Sequence, residues 1–223
     1  MPKSQSWIEE HFGRFDWHDD PARRGVIIVS ADWISSNIGR IEPPFPLMDG
    51  LGRPLRSIPC HKLLAPLLMA VLVDLKDSAR AHLINTFDGC FVPRHMSWDP
   101  ARSLSHHSWG VAVDVNARLF PYGSHGKQNA QLIAAFRRRG FEWGGDWSTP
   151  DPMHFEIVTL DAIPADQTGM KIVVDDKLVS SAGRILGGIA EGPLDPVVRA
   201  LGATLTPHPE QGKLYIYTQE KKA

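Results

Sequence analysis

The sequence reads as an α+β protein, a small antiparallel sheet with flanking helices followed by a small C-terminal βββαβ unit. Short runs rich in β-branched residues occur at 26–29 and 111–116, and a third strand-like run spans 154–160. Apolar residues repeat at helical spacing over 61–78 and 127–139. Composition then shifts over 161–169, where Pro, Gly and Asp read as a linker. With 223 residues, 43% hydrophobic and 22% charged, the chain lies in the globular range and is not a disordered or fibrous protein.

Residues 1–59 read as an irregular N-terminal extension, with one short buried strand at 26–29 and an ordered Pro-rich loop over 42–59. The helix at 61–78 sets Leu63, Leu64, Leu67, Leu68, Val71, Leu72 and Leu75 on one face. Pro66 falls in its first turn, where a missing N–H costs nothing. Residues 82–86 read as a strand leaving that helix. Residues 87–106 carry no period, so a long loop is expected there, and long loops in compact domains are often functional. The helix at 127–139 turns Leu132, Ile133 and Phe136 inward and stops at Gly140. These elements define a first domain over 1–162, with its core at about 60–160. A second domain is expected over 163–223. Its strands are at 170–174, 178–179, 184–187 and 213–218, with a turn at Asp175-Asp176-Lys177 and a short helix at 196–201.

Charge and cysteine content exclude other classes. Lys+Arg numbers 24 and Asp+Glu 25, a balance that argues against a nucleic-acid partner held by phosphate neutralisation. Residues 1–13 are polar and include Glu9 and Glu10, so no signal peptide is visible. The longest apolar run, 63–73, is too short for a transmembrane segment. A protein made in the cytoplasm is expected. Cys60 and Cys90 read as two buried thiols, since neither sits at metal-binding spacing.

The chemistry lies in two segments, Ser105-His-His-Ser-Trp-Gly-Val-Ala-Val-Asp114 and Asp151-Pro-Met-His-Phe-Glu156. Gly110 lets the chain turn, so that His107 sits on the entering loop while Asp114 projects from the following strand. A carboxylate in the middle of an apolar strand needs a cation or donors. His154 opens the third strand, with Asp151 three residues earlier in a Pro-containing turn. Two imidazoles and one carboxylate converging from two strands make the donor set of a catalytic zinc site with an open fourth position. Such a site lowers the pKa of water and needs a further carboxylate to move its proton. Asp151 is positioned for that task. Taken singly, each residue has an ordinary structural role, but four such roles would have to coincide within one short window. His106 reads as supporting the site or lying at the surface.

Ser105-x-His107-x-x-Gly110-x-Ala112-x-Asp114 with Asp151-x-x-His154-Phe155 resembles the zinc D-alanyl-D-alanine carboxypeptidases and L-alanyl-D-glutamate peptidases, including VanY-like enzymes and phage endolysins. The resemblance implies a hedgehog/D-Ala-D-Ala peptidase-like fold, one Zn²⁺ per chain on His107, Asp114 and His154, and Asp151 as catalytic base. It also implies an arginine ahead of the first motif that steadies the oxyanion, Arg94 or in reserve Arg102. A fixed guanidinium suits that role. Ser105 matches the motif's serine and suits contact with substrate. Trp143 or Trp147 could wall the substrate cleft, or both could pack against the sheet; Trp147, with Ser105, is expected to bind substrate. Many family members carry Glu where this chain has Asp151, and the endopeptidase-like members often carry Asp.

The implied partner is the peptide stem of bacterial peptidoglycan, and the implied place of action the cell wall, reached by phage-type release. Residues 163–223 resemble, through Lys171–Lys177, Gly192-Pro-Leu194 and Ala200-Leu-Gly-Ala203, the small stalk-like domain at the N-terminus of copper amine oxidases. That likeness implies an attachment module without copper ligands. Three rivals remain open at this level. A mononuclear Fe(II) oxygenase also uses two His and one carboxylate, but its His-x-Asp spacing is absent. A non-catalytic wall-binding module would not need Asp151. A serine hydrolase would place Ser105 or Ser108 in a Gly-x-Ser-x-Gly elbow, which is missing.

Overall fold

The computed structural model of the chain describes residues 3–159 and, further on, five strands of a second unit. The chain divides into two compact units, Met1–Ala162 and Ile163–Ala223.

The first unit begins with α1 (Gln5–Phe12), whose N-terminus is capped by Ser4 Oγ accepting from the Trp7 N–H at 3.2 Å. Then come β1 (Trp17–Asp19), β2 (Ile27–Val29), α2 (Ala31–Asn37), β3 (Ile38–Ile41), β4 (Leu47–Met48), β5 (Pro54–Leu55) and β6 (Ile58–His61). The expectation of an irregular extension is therefore corrected. β1 pairs with β2, and β3 with β6, while the Pro-rich segment holds the small β4–β5 pair. These strands are two to four residues long and join across distant positions, so they leave almost no local period. The extension docks on the motif region: Trp109 Nε1 donates to the Gly13 carbonyl at 2.8 Å.

The core follows the apolar pattern. α3 (Ala65–Asp77) starts later than the leucine spacing suggests but keeps Pro66 in its first turn, and it buries Leu67, Leu68, Val71, Leu72 and Leu75. Each such side chain contributes about 1.5–3 kcal/mol on burial. β7 (Phe87–Gly89), β8 (Ala112–Val115), α4 (Ala130–Arg137), β9 (Phe141–Trp143) and β10 (His154–Ile157) complete the unit. The strands form one antiparallel sheet in the order β7-β8-β10-β9. α4 is seated on it through Phe136, which stacks on Phe155 at 4.1 Å. Arg139 grips Asp74 with two guanidinium nitrogens and so ties the end of α4 to α3.

Residues 82–86 are not a strand. A 3₁₀ turn at Ala81–Leu83 precedes β7, and the Asn116 side chain supplies the reason. Its Oδ1 accepts from the N–H groups of Asn85 and Thr86 at 2.7 and 3.1 Å, and its Nδ2 donates to the Leu83 carbonyl at 2.9 Å. Backbone donors that a ladder would use are thus satisfied by a side chain. Asn116 itself takes a left-handed conformation, φ 58°, which Asn tolerates better than most residues. The expected loop over 87–106 contains β7 and a 3₁₀ turn at Met96–Trp98, and a second such turn follows at His106–Trp109.

In the second unit, β11 (Met170–Val174), β12 (Lys177–Leu186), β13 (Ile189–Glu191), β14 (Thr204–His208) and β15 (Lys213–Tyr217) form a sheet in the order β13-β12-β11-β15-β14. β11 runs antiparallel to β12 and parallel to β15. The strand expected at 184–187 is instead the continuation of β12, which runs on through Ser180-Ser-Ala-Gly183 without a turn. β14 is additional. The expected helix at 196–201 and the turn at Asp175-Asp176 lie outside the described residues. Among the described residues, no helix is long and apolar enough to cross a membrane.

Candidate metal centre

β8 and β10 are paired so that Asp114 lies directly opposite His154. Both side chains project from the same face of the sheet, and the intervening Val113 and Phe155 occupy the other. His107 arrives from the 3₁₀ turn His106–Trp109, which ends at Gly110 in a left-handed conformation, φ 67°. A Cβ at Gly110 would stand 2.9 Å from the His61 backbone nitrogen, so glycine is required both by φ and by space. The three groups meet. His107 Nε2 lies 3.1 Å from Asp114 Oδ2, His154 Nδ1 3.0 Å from Asp114 Oδ1, and the two imidazole nitrogens 3.2 Å apart. All three residues are buried.

The outer nitrogens of both rings face acceptors. His107 Nδ1 points at the Cys90 carbonyl at 3.0 Å, and His154 Nε2 at Glu156 Oε2 at 3.1 Å. A carbonyl and an ionised carboxylate only accept, so each outer nitrogen carries the hydrogen. The inner nitrogens, His107 Nε2 and His154 Nδ1, are left with lone pairs directed at a carboxylate. Three electron-rich atoms at this separation require a cation between them. Without a metal, a proton serves: burial opposes the His154 charge, but its bonds to Asp114 and Glu156 outweigh that and lift it to about 10. Burial likewise opposes ionisation of Asp114, yet His107 and His154 hold its carboxyl well below the usual range. His107 sits lower than an ordinary histidine because burial dominates. Two imidazoles and a carboxylate with fixed outer hydrogen bonds fit a mononuclear zinc ion.

Asp151 sits beside this cluster and feels the charges of His154, Asp114, Arg94 and Glu156. Its buried Oδ1 has no hydrogen-bond partner, and burial raises its pKa to about 6. Gly144 seats it. The Asp151 N–H donates to the Gly144 carbonyl at 2.9 Å, and a Cβ on Gly144 would meet the Asp151 carbonyl oxygen at 2.6 Å and its Cβ at 3.1 Å. The same Cβ would stand 3.3 Å from the His154 Cβ, so Gly144→Ala is expected to displace Asp151 and His154 together and to lower the melting temperature, measured by calorimetry.

Arg94 also reaches the site. Its Nη1 donates to Ser105 Oγ, and its Nη2 lies 3.8 Å from Asp114 Oδ2. Ser108 Oγ accepts from the Arg94 N–H and donates to the Arg94 carbonyl, fixing its backbone against the 3₁₀ turn. Burial pulls against the guanidinium charge, and Asp114 and Asp151 sustain it. Arg102 donates instead to Ser97 Oγ at 2.6 Å. Trp147 lies 5.3 Å from the His154 ring and is bonded through Nε1 to Glu142, whereas Trp143 is buried and donates to the Pro152 carbonyl. An apolar groove of about 410 Å³ lies beside Arg94, walled by Val26, Ile28, Phe91 and Trp98; its lining includes none of the cluster residues. Cys60 and Cys90 are free and buried. Glu156 is the group the sequence reading missed. The signal was its place two residues after His154, on the same face of one strand.

A buried His/Asp/His cluster with an unpartnered carboxylate beside it defines the class as a candidate metal-dependent hydrolase. Residues 99–157 match the sequence model of the D-alanyl-D-alanine carboxypeptidase family. That segment carries His107, Asp114, Asp151 and His154, and the match supports a metallopeptidase.

Proposed function

We propose that this chain is a zinc peptidase hydrolysing a peptide bond in peptidoglycan stem peptides, of the D-Ala-D-Ala carboxypeptidase or L-Ala-D-Glu endopeptidase type. The observation that carries the reading is Asp151 with its free buried oxygen beside the His107–Asp114–His154 cluster. Two imidazole nitrogens and one carboxylate, a buried set of three that leaves a fourth position open, suit a catalytic zinc ion. Bound zinc would polarise the scissile carbonyl and acidify a water molecule. Asp151 accepts the proton of the attacking water and returns it to the leaving amine. Its buried Oδ1, without a hydrogen-bond partner, is free to take that proton. Arg94 donates to the oxygen that gains negative charge in the tetrahedral intermediate, and Ser105 steers its guanidinium. Trp147 walls the cleft next to His154. A wall-binding module without turnover would have no use for a carboxylate whose buried Oδ1 lacks a partner. Residues 1–162 form the peptidase domain in this reading, and 163–223 an attachment domain that keeps the enzyme at the cell wall.

Digestion of purified muropeptides followed by mass spectrometry tests the proposal. Loss of a terminal D-alanine is expected for carboxypeptidase action, and release of the stem beyond L-alanine for endopeptidase action. Muropeptides left intact by the zinc-loaded protein would contradict both.

A further inference from the structure

Glu156 is buried at the centre of the β10 face, a costly place for a carboxylate unless its oxygens are bonded. They are. Oε2 faces His154 Nε2 at 3.1 Å on one side and His106 Nδ1 at 2.8 Å on the other, and Oε1 accepts from the Lys3 N–H at 3.3 Å. The cross-strand neighbour of Glu156 on β8 is Ala112, whose small side chain leaves room for this arrangement beside Asp114. His106 reaches Glu156 because the 3₁₀ turn at His106–Trp109 directs two consecutive histidines to different partners, His107 to Asp114 and His106 to Glu156.

We infer that Glu156 is a positioning residue for the metal centre and that His106 acts through it, in a chain His106–Glu156–His154. Glu156 holds the hydrogen of His154 on Nε2, so that Nδ1 presents its lone pair to the metal. Without that acceptor the ring is free to take the other tautomer or to rotate, and Nδ1 loses its aim. His106 restrains the Glu156 carboxylate from the far side and keeps it from swinging away from His154. The inference rests on the zinc reading above but concerns residues outside the proposed ligand set.

The test is zinc affinity measured by competition with a chromogenic chelator on the full chain, together with imidazole nitrogen chemical shifts of the zinc-loaded protein. Glu156→Ala is expected to weaken zinc binding by about 10- to 100-fold. Glu156→Gln, which keeps an acceptor oxygen, is expected to restore most of that affinity and the Nε2-protonated His154 signal. His106→Ala is expected to weaken binding by less than Glu156→Ala, and the double variant to match Glu156→Ala alone, since His106 works through Glu156. Should Glu156→Ala fail to fold, Glu156→Gln and His106→Ala carry the test. Folded variants that bind zinc as tightly as wild type would overturn the inference alone. Additive losses in the double variant would overturn the chain from His106. A wild-type protein that takes up no zinc would overturn the zinc reading and this inference with it.

Discussion

Asp114→Ala is expected to remove stoichiometric zinc and to reduce stem-peptide hydrolysis to background. Asp114 is the only anionic member of the cluster and lies between the two imidazoles, 3.0 and 3.1 Å from their inner nitrogens. Loss of an outer hydrogen bond to a metal-binding histidine typically costs 10–100-fold in affinity, so loss of a ligand costs more. The variant is expected to remain folded. The removed side chain contributes no hydrophobic packing, and the buried His107 already favours its neutral form. His154 and Arg94 lose a counter-charge, however, so a lowered melting temperature is expected, and circular dichroism checks the fold before zinc is measured. Metal analysis of the purified variant beside its activity checks the claim. Full zinc content in Asp114→Ala would show that the ligand set is wrong.

Asp151→Asn is expected to behave in the opposite way, keeping zinc and losing turnover by about 10²–10⁴-fold in kcat, the usual worth of a general base. Asparagine preserves shape, so the Gly144 seat is undisturbed and the loss reports proton transfer. The pH profile adds a second reading. Burial, acting first, lifts the Asp151 carboxyl to about 6 in the metal-free chain. A bound dication favours the ionised form, so in the loaded enzyme the value moves below that. A base must be unprotonated to act, so kcat/KM is expected to fall tenfold per pH unit on the acid side of an inflection under pH 6. In Asp151→Asn that inflection should vanish. Zinc lost from Asp151→Asn would make it a ligand and not the base.

The cluster was legible because its members lie in two short segments whose residue types are unusual for strands. Asp114 stands between valines, and His154 follows a Pro-containing turn. Glu156 stood inside the second segment, but its role depends on His106, which only the 3₁₀ turn at His106–Trp109 brings to it. The helices α3 and α4 announced themselves through leucine and phenylalanine spacing. α1 did not: it buries only Ile8 and Phe12, too few for a periodic signal, and depends on docking against Trp109. The strand expected at 82–86 failed for a non-local reason, since the Asn116 side chain, some thirty residues away, takes the backbone donors of Asn85 and Thr86. Register between distant short strands, such as Ile38 opposite His61, leaves no trace in local pattern at all.

The most direct test of the central claim is reversible metal dependence of hydrolysis. The purified protein is stripped with excess chelator, dialysed, and assayed on muropeptides before and after one equivalent of zinc. Hydrolysis is expected to disappear on stripping and to return with zinc, in proportion to the zinc bound. Undiminished hydrolysis by the metal-free protein would contradict it.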